Sequence, residues 1–475
     1  MSKISARFLS NKDQKRIVCA EARSDFIDVL FSFLTLPLGS IVRLMAKQSG
    51  LGSLDVLYDA VEQLDVKILQ TEACKEMLLN PRSPTAIICE DLKIKNIHNA
   101  NPRSFYICNE SDCLAHPTCY YTYVKNCRCI YCGKLITNSW VWLKETFGDG
   151  GIFVDDKTSF MISDDLRVMP TSLMRGYSLL EEWPINDVRS LEERVIDFGT
   201  DEMLNLLRRS LVSKNPLTEV CFADATVAAD VDCSLMVKEE TSDDKTVGAI
   251  ALKLIINKKN NSVVCAEVGE DFVNQLLSFL TFPLGSVLKL ISDNISILGG
   301  CISNLYSSAE IMDLECFKSK THKNMLLNPK LATFHSFDRQ ILKLEETTSK
   351  KLLVSGGCPK CYSDNKHKPC VPAPCKHGVR QSQILEQNPK SGKLSAHSGG
   401  AFVADSRRFM VSDNLHISPL SFISAIKNYT KDLPISDLVE KDVYIGKAKV
   451  LSLLSTMLIS KTVLSDVFRS KLVQS

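Results

Sequence analysis

Cysteine is the residue type through which this chain of 475 residues can do chemistry, and it has 18 of them. Ten fall in two short clusters: Cys108, Cys113, Cys119, Cys127, Cys129 and Cys132, then Cys358, Cys361, Cys370 and Cys375. In the first, Cys108-x4-Cys113 is followed by Cys127-x-Cys129-x2-Cys132-Gly133. Two ligand pairs separated by a loop are what a tetrahedral zinc site needs, since a short spacing lets one turn present two sulfurs to one ion at about 2.3 Å. The glycine relieves the tight turn of such a knuckle. The expected ligands are Cys108, Cys113, Cys129 and Cys132. Cys119 and Cys127 are then spare, and the ligand set of this cluster stays open. In the second cluster, Cys358-Pro-Lys-Cys361 is followed by Cys370 and by Cys375-Lys-His377-Gly378. The expected set is Cys358, Cys361, Cys370 and Cys375, with His377 as the alternative ligand. His116, beside Pro117, is a more distant candidate.

Four thiolates fill a zinc coordination sphere, whereas a catalytic zinc keeps an open position and a carboxylate near its bound water. Near Cys358 the only acid before Cys375 is Asp364. The spacings also differ between the clusters, which a structural metal tolerates better than a tuned catalytic one. Structural zinc, stabilising modules that bind a protein partner, is therefore the favoured reading, and no catalytic residue is assigned.

Two other chemistries compete. Cys358 and Cys361 form a dithiol of the redox type, but such a pair needs a helix starting at its first cysteine to lower the thiol pKa. The segment that follows, YSDNKHKPCVPAP, has three prolines and no apolar helical face. Nucleic-acid binding is the other. Residues 358–393 hold seven Lys or Arg against Asp364 and Glu386, a formal +5 that four zinc-bound thiolates reduce to about +3. No row of aromatics interleaves these charges for base stacking. Tyr120, Tyr121 and Tyr123 in the first cluster are expected to pack against the metal loop.

Further carboxylates repeat in position: Glu21 and Asp25 return as Glu267 and Asp271. Their place at a helix start, where the dipole favours anions, explains them without acid–base chemistry. Asp164 and Asp413 read as helix caps. Walker A, dinucleotide-binding, HExxH and GxSxG motifs are absent.

The elements that must position the cysteines belong to a duplicated chain. Residues 17–40, IVCAEARSDFIDVLFSFLTLPLGS, match 263–286, VVCAEVGEDFVNQLLSFLTFPLGS, at 15 of 24 positions. Chance would give roughly one or two. MLLNP at 77–81 returns at 325–329, SFMISDDLRVMP at 159–170 as RFMVSDNLHISP at 408–419, and GTDEMLNLLRRSLVSK at 199–214 as GKAKVLSLLSTMLISK at 446–461. The expected organisation is two homologous, separately folded α+β domains. Residues 1–227 carry a Cys-rich insert at 105–135 and residues 249–475 one at 355–380, with an acidic linker at 228–248.

Within each copy a β-hairpin (3–9 with 15–20) precedes an apolar helix capped at Asp25 and interrupted by Pro37 and Gly39. Further helices fit 53–64, 71–79, 172–182 and 200–213, and 152–162 reads as paired strands. Residues 272–288 carry no charge, but the proline and glycine at mid-run make them a buried, broken helix rather than a membrane span.

Composition agrees with an ordinary globular chain: 45% hydrophobic, 24% charged, net charge +2. No global field draws it to nucleic acid or anionic lipid. The start MSKISARFLS lacks an apolar stretch of signal-peptide length, so a reducing cytoplasmic or nuclear setting without a membrane partner is expected.

The CAE-x-x-x-DF start, the SFLT-x-PLGS block, LLNP and FMISDDL together resemble a plant-specific family known as domain of unknown function 674, over nearly the whole chain in two copies. That resemblance implies an intracellular plant protein with a cysteine-rich insert, and supplies no catalytic residues.

Overall fold

The computed structural model describes residues 3–94, 102–114, 116, 118–137, 139–141, 151–182, 188–222, 249–291, 300–349, 352–355, 381–391, 400–404, 406–431 and 433–472. Each repeat opens with the expected hairpin. In the first, β1 (Ile4–Asn11) pairs antiparallel with β2 (Arg16–Ala22). Alternation along β1 turns Ile4, Ala6 and Phe8 into the core. Three later strands complete a five-stranded antiparallel sheet: β6 (Phe160–Ser163) and β7 (Val168–Pro170) on one side, β8 (Leu191–Phe198) on the other. The second repeat builds the same sheet from β9 (Ile250–Asn257), β10 (Ser262–Gly269), β13 (Arg408–Ser412), β14 (Ile417–Pro419) and β15 (Leu438–Ile445). With the packed helices this is an α+β fold.

The apolar run after each hairpin is a helix interrupted at its proline. Ser24–Ser32 is α-helical and Phe33–Thr35 tightens to a 3-10 turn. Pro37 is extended, and a new helix covers Leu38–Leu44. Residues 272–288 behave alike, as helices Glu270–Phe279 and Leu284–Leu290 with Phe272, Leu276, Leu277 and Phe279 fully buried. Among the described residues no helix is long and apolar enough to cross a membrane.

Three local expectations need correction. Asp25 is not the cap: the extended Arg23 is, while Asp25 sits in the first turn and pairs with Lys93 at 2.8 Å. Residues 152–154 do not pair with 160–162, because the buried Asp28 carboxylate accepts the N–H groups of Ile152 (2.6 Å), Phe153 (2.7 Å) and Val154 (3.0 Å). Asp164 and Asp413 do cap helices, but distant ones. Asp164 accepts from Thr218 at the start of Pro216–Cys221, and Asp413 from Ser465 at the start of Val463–Leu472.

The two tandem domains are not independent. Their largest apolar cluster runs without a break from Ile4 to Phe468. At its centre the two PLGS segments pair with each other about a pseudo-twofold axis. The Leu38 N–H donates to Phe282 O (2.9 Å), Gly39 to Leu280 O (2.7 Å) and Leu284 to Leu36 O (2.9 Å). Both glycines are demanded here. A Cβ on Gly39 would stand 2.9 Å from Leu78 O, and one on Gly285 2.5 Å from Leu326 O.

Each repeat also lends a helix to the other. Helix Leu54–Gln63 enters the second repeat through Ser53, whose N–H donates to Met457 O (2.9 Å) and whose hydroxyl donates to Ser460 O (2.7 Å). Helix Ile302–Ile311 enters the first through Cys301 N–H to Ser210 O (2.9 Å), and Ser308 Oγ accepts from Val168 N–H (2.9 Å). Separately folded units, as the sequence suggested, are thus replaced by an interlocked pair. The linker at 228–248 lies outside the described residues.

Candidate metal centre

The cysteine-rich insert of the first repeat contributes β3 (Ser104–Ile107), β4 (Cys119–Thr122) and β5 (Ser139–Val141) to a third sheet. The second repeat supplies β11 (Leu352–Ser355) and β12 (Gln381–Glu386). β12 runs parallel to β4, with Ile384 opposite Cys119 and Glu386 opposite Tyr121. The insert of the first repeat and the two strands that flank the insert of the second therefore share one sheet.

Cys108 follows β3 directly, and Cys113 lies on the one-turn helix Ser111–Leu114. Cys129 and Cys132 sit on a tight knuckle, closed by Cys129 N–H to Lys134 O (2.9 Å) and Gly133 N–H to Cys129 O (2.8 Å). Gly133 takes φ +70°, a left-handed conformation that glycine adopts without strain. The ligand atoms of all four cysteines lie within 4.8 Å of one another. The Cys108–Cys132 sulfurs are 3.6 Å apart and the Cys113–Cys129 sulfurs 3.7 Å. A tetrahedron with metal–sulfur bonds of about 2.3 Å has edges of ~3.8 Å, so the donor set fits a four-coordinate ion of zinc size.

The surroundings are apolar: Ile136 is buried against the cysteines, with Tyr106 and Tyr131 packed alongside. Burial pushes the Cys108 thiol up to about 11, and burial followed by its thiol neighbours pushes Cys113 up as well. Burial also opposes ionisation of Cys132, but the Lys134 backbone N–H and the other three thiols outweigh it and hold its pKa below the ordinary value. Four thiols at this spacing cannot all ionise unaided; a bound dication reverses that.

The two spare cysteines have other work. Cys119 packs with Phe105, Tyr121 and Ile384 inside the third sheet. Cys127 Sγ accepts from Gln387 Nε2 at 3.2 Å, and the same amide donates to Arg128 O at 2.6 Å. The knuckle is thereby held to the second repeat, and Arg128 ties it to Glu72 of the first (3.0 Å). Nothing local separates Cys119 from the ligands, since three of those cysteines are as buried as it is. Nothing local announces Gln387.

Tyr121 and Tyr123 pack in the third sheet rather than against the metal loop, where Tyr106 and Tyr131 stand instead, and Tyr120 reaches it only through Tyr131 (5.9 Å between ring centroids). Tyr121 is fully buried edge-on to Phe105 (5.8 Å), and the Arg82 guanidinium lies 3.3 Å over the Tyr123 ring. His116 stacks on Tyr131 at 4.1 Å between ring centroids and is not among the clustered donors. Glu21 pairs with Arg7, Asp25 with Lys93 and Asp271 with Arg339, so these carboxylates serve ion pairs on the repeat surfaces. Cys358, Cys361, Cys370, Cys375 and His377 all lie outside the described residues, in the segment joining the paired ends Ser355 and Gln381 of β11 and β12.

No curated protein and no solved structure matches this chain. A family model does, over residues 1–299 and again over 248–475, in keeping with the duplication seen in both sequence and fold. The chain belongs to the family described as Protein of unknown function (DUF674).

Proposed function

We propose that the protein is an interaction module whose cysteine-rich inserts are held by structural zinc, bound in the first repeat by Cys108, Cys113, Cys129 and Cys132. The observation that carries this reading is the convergence of four sulfurs, from two chain segments, at the spacing of a tetrahedral site. A second zinc on Cys358, Cys361, Cys370 and Cys375, with His377 as the substitute, belongs to the same proposal. Thiolate ligation suits a reducing compartment, cytoplasm or nucleus.

A protein partner is favoured by apolar side chains exposed at equivalent positions of both repeats. Leu173, Met174 and Tyr177 are 81%, 72% and 60% exposed in the first, and Phe422, Ile423 and Ile426 are 79%, 78% and 46% exposed in the second. Apolar groups gathered in the open mark interaction surfaces.

Replacing the metal with cobalt tests the centre. Tetrathiolate ligation gives intense sulfur-to-cobalt charge-transfer absorption, and Cys129→Ser should abolish the share due to the first site. Absence of that absorption, together with a reversible Cys358–Cys361 disulfide, would move the reading to thiol redox chemistry. Steeply salt-dependent RNA or DNA affinity would move it to nucleic-acid binding.

A further inference from the structure

Equivalent carboxylates of the two repeats are treated differently. Asp164 is fully buried, capping Thr218, and carries the Arg16 guanidinium with Nε 3.4 Å from Oδ2. Arg16 also donates to Asn215. In the second repeat Asp413 caps Ser465 in the same way, with its side-chain oxygens 2.7 Å from the N–H and 2.6 Å from the hydroxyl. The residue equivalent to Arg16 is Ser262, and the one equivalent to Asn215 is Thr462. Asp413 has no cationic partner among the described residues and is only half-buried.

Against it lies a shallow cavity, widely open to solvent, of about 450 Å³, lined by Asp413, Asn414, His416 and Tyr429, by Val56 of the first repeat, and by Lys461. That volume lies within the range of ligand sites. The corresponding place in the first repeat is tied by charges: Arg167, equivalent to His416, pairs with Asp165 (3.1 Å) and Glu182 (2.6 Å). In the second repeat Asn414 and His416 stand where Asp165 and Arg167 form that network, and Leu180 gives way to Tyr429.

We propose that the Asp413 cavity receives the arginine side chain of a partner polypeptide, in the manner in which Asp164 holds Arg16. The chemistry matches a guanidinium: a carboxylate for a charge-assisted hydrogen bond, a carboxamide at Asn414, and the Tyr429 ring as a wall for cation–π contact. Lys461 has a sequence counterpart, Lys214, in the repeat where Arg16 is bound, so a lysine at this point of the chain does not preclude guanidinium binding. The exposed Phe422, Ile423 and Ile426 lie on the helical segment Phe422–Ala425 and the wider π turn Ile426–Thr430 that carries Tyr429 to the cavity, so apolar surface adjoins it in the chain. The partner segment therefore carries apolar residues beside its arginine. This site rests on the interaction reading and gives it a partner chemistry, yet it uses no residue of the cysteine centre.

The test is calorimetric titration of the full-length protein with a leucine tetrapeptide containing one arginine, against the same peptide with citrulline. The arginine peptide should bind at least tenfold more tightly. Ser262→Arg, which supplies the second repeat with its own occupant, should weaken binding at least tenfold while raising the unfolding temperature. Tyr429→Leu should weaken it about threefold. Cys129→Ser should lose metal and keep the peptide, so failure of the metal reading is seen separately. Equal affinity for the citrulline peptide, no binding of either, or unchanged binding by Ser262→Arg would overturn the proposal. So would tighter binding of inorganic phosphate, abolished by Lys461→Ala. Equal binding of N-acetyl-arginine amide would remove the stripe of Phe422 and Ile426 from it.

Discussion

Asp28 in the first repeat and Asn274 in the second do the same work with different chemistry. Asp28 gathers three backbone N–H groups from residues 152–154, and Asn274 Oδ1 gathers those of Phe402 (2.8 Å) and Val403 (3.1 Å). Burial pushes the Asp28 carboxyl up to about 6, even against three favourable donors. The second repeat avoids that cost with a neutral amide. The same contrast recurs at Asp164, raised to about 6 by burial and held by Arg16, against the open Asp413. At these two joints the first repeat uses a buried carboxylate and an ion pair, while the second uses the neutral Asn274 and leaves Asp413 capping Ser465 without an ion pair among the described residues. What the two keep alike is the seam.

Breaking the seam should have the largest effect. Gly285→Ala drives a Cβ to 2.5 Å from Leu326 O, a backbone atom that cannot swing away, and should cost about 4 kcal/mol. Gly39→Ala meets its nearest backbone oxygen at 2.9 Å and should cost about 2 kcal/mol. In urea both variants should lose the two repeats in one transition. Two separated transitions would contradict the shared core.

Next in size is the pH response of the first repeat. A carboxyl whose folded pKa lies above its unfolded value stabilises the fold while protonated; that contribution is full below about pH 4 and lost as pH rises through about 6. Raising this carboxyl from 3.8 to about 6 corresponds to about 3 kcal/mol. Asp28→Asn should remove the Asp28 share of this dependence and leave that of Asp164, which burial also raises to about 6. At pH 7 it should stabilise by about 1–2 kcal/mol, the gain being reduced by one lost acceptor, and at pH 4 destabilise by about 1 kcal/mol. Denaturant midpoints measured from pH 4 to 7 read it. Asn274→Asp should import the dependence into the second repeat.

Cleavage in 228–248 sharpens the comparison without changing any side chain. The nicked halves should stay together through gel filtration, because each holds the other's helix and the third sheet is shared. Separate elution of the halves would contradict the interlocked arrangement. The smallest effect is expected at the exposed stripes: Leu173→Ser and Phe422→Ser should each leave stability within about 0.5 kcal/mol.

Legibility in the sequence followed the range of each interaction. The break at Pro37, the helix at 200–212 and the four clustered sulfurs are local, set by a proline, a 3.6-residue period and two short spacings. Pairing of Leu38 with Phe282, of β12 with β4 and of Asp164 with Thr218 joins residues far apart in the chain, and no local pattern encodes such partners. The cap lies two residues before Asp25, because an extended Arg23 starts the helix without a side-chain bond that the sequence could signal. The identity of the SFLT-x-PLGS blocks did carry the seam in hidden form: each glycine is crowded both by a carbonyl of its own repeat and by one from the other, Leu280 O at 3.0 Å for Gly39 and Leu34 O at 3.1 Å for Gly285.

The most direct test of the metal centre is elemental analysis of purified full-length protein beside its Cys129→Ser variant. About one equivalent of zinc should be lost on substitution, with the first-repeat insert losing protease resistance and the seam intact. Equal metal content in both proteins, or none in either, would contradict it.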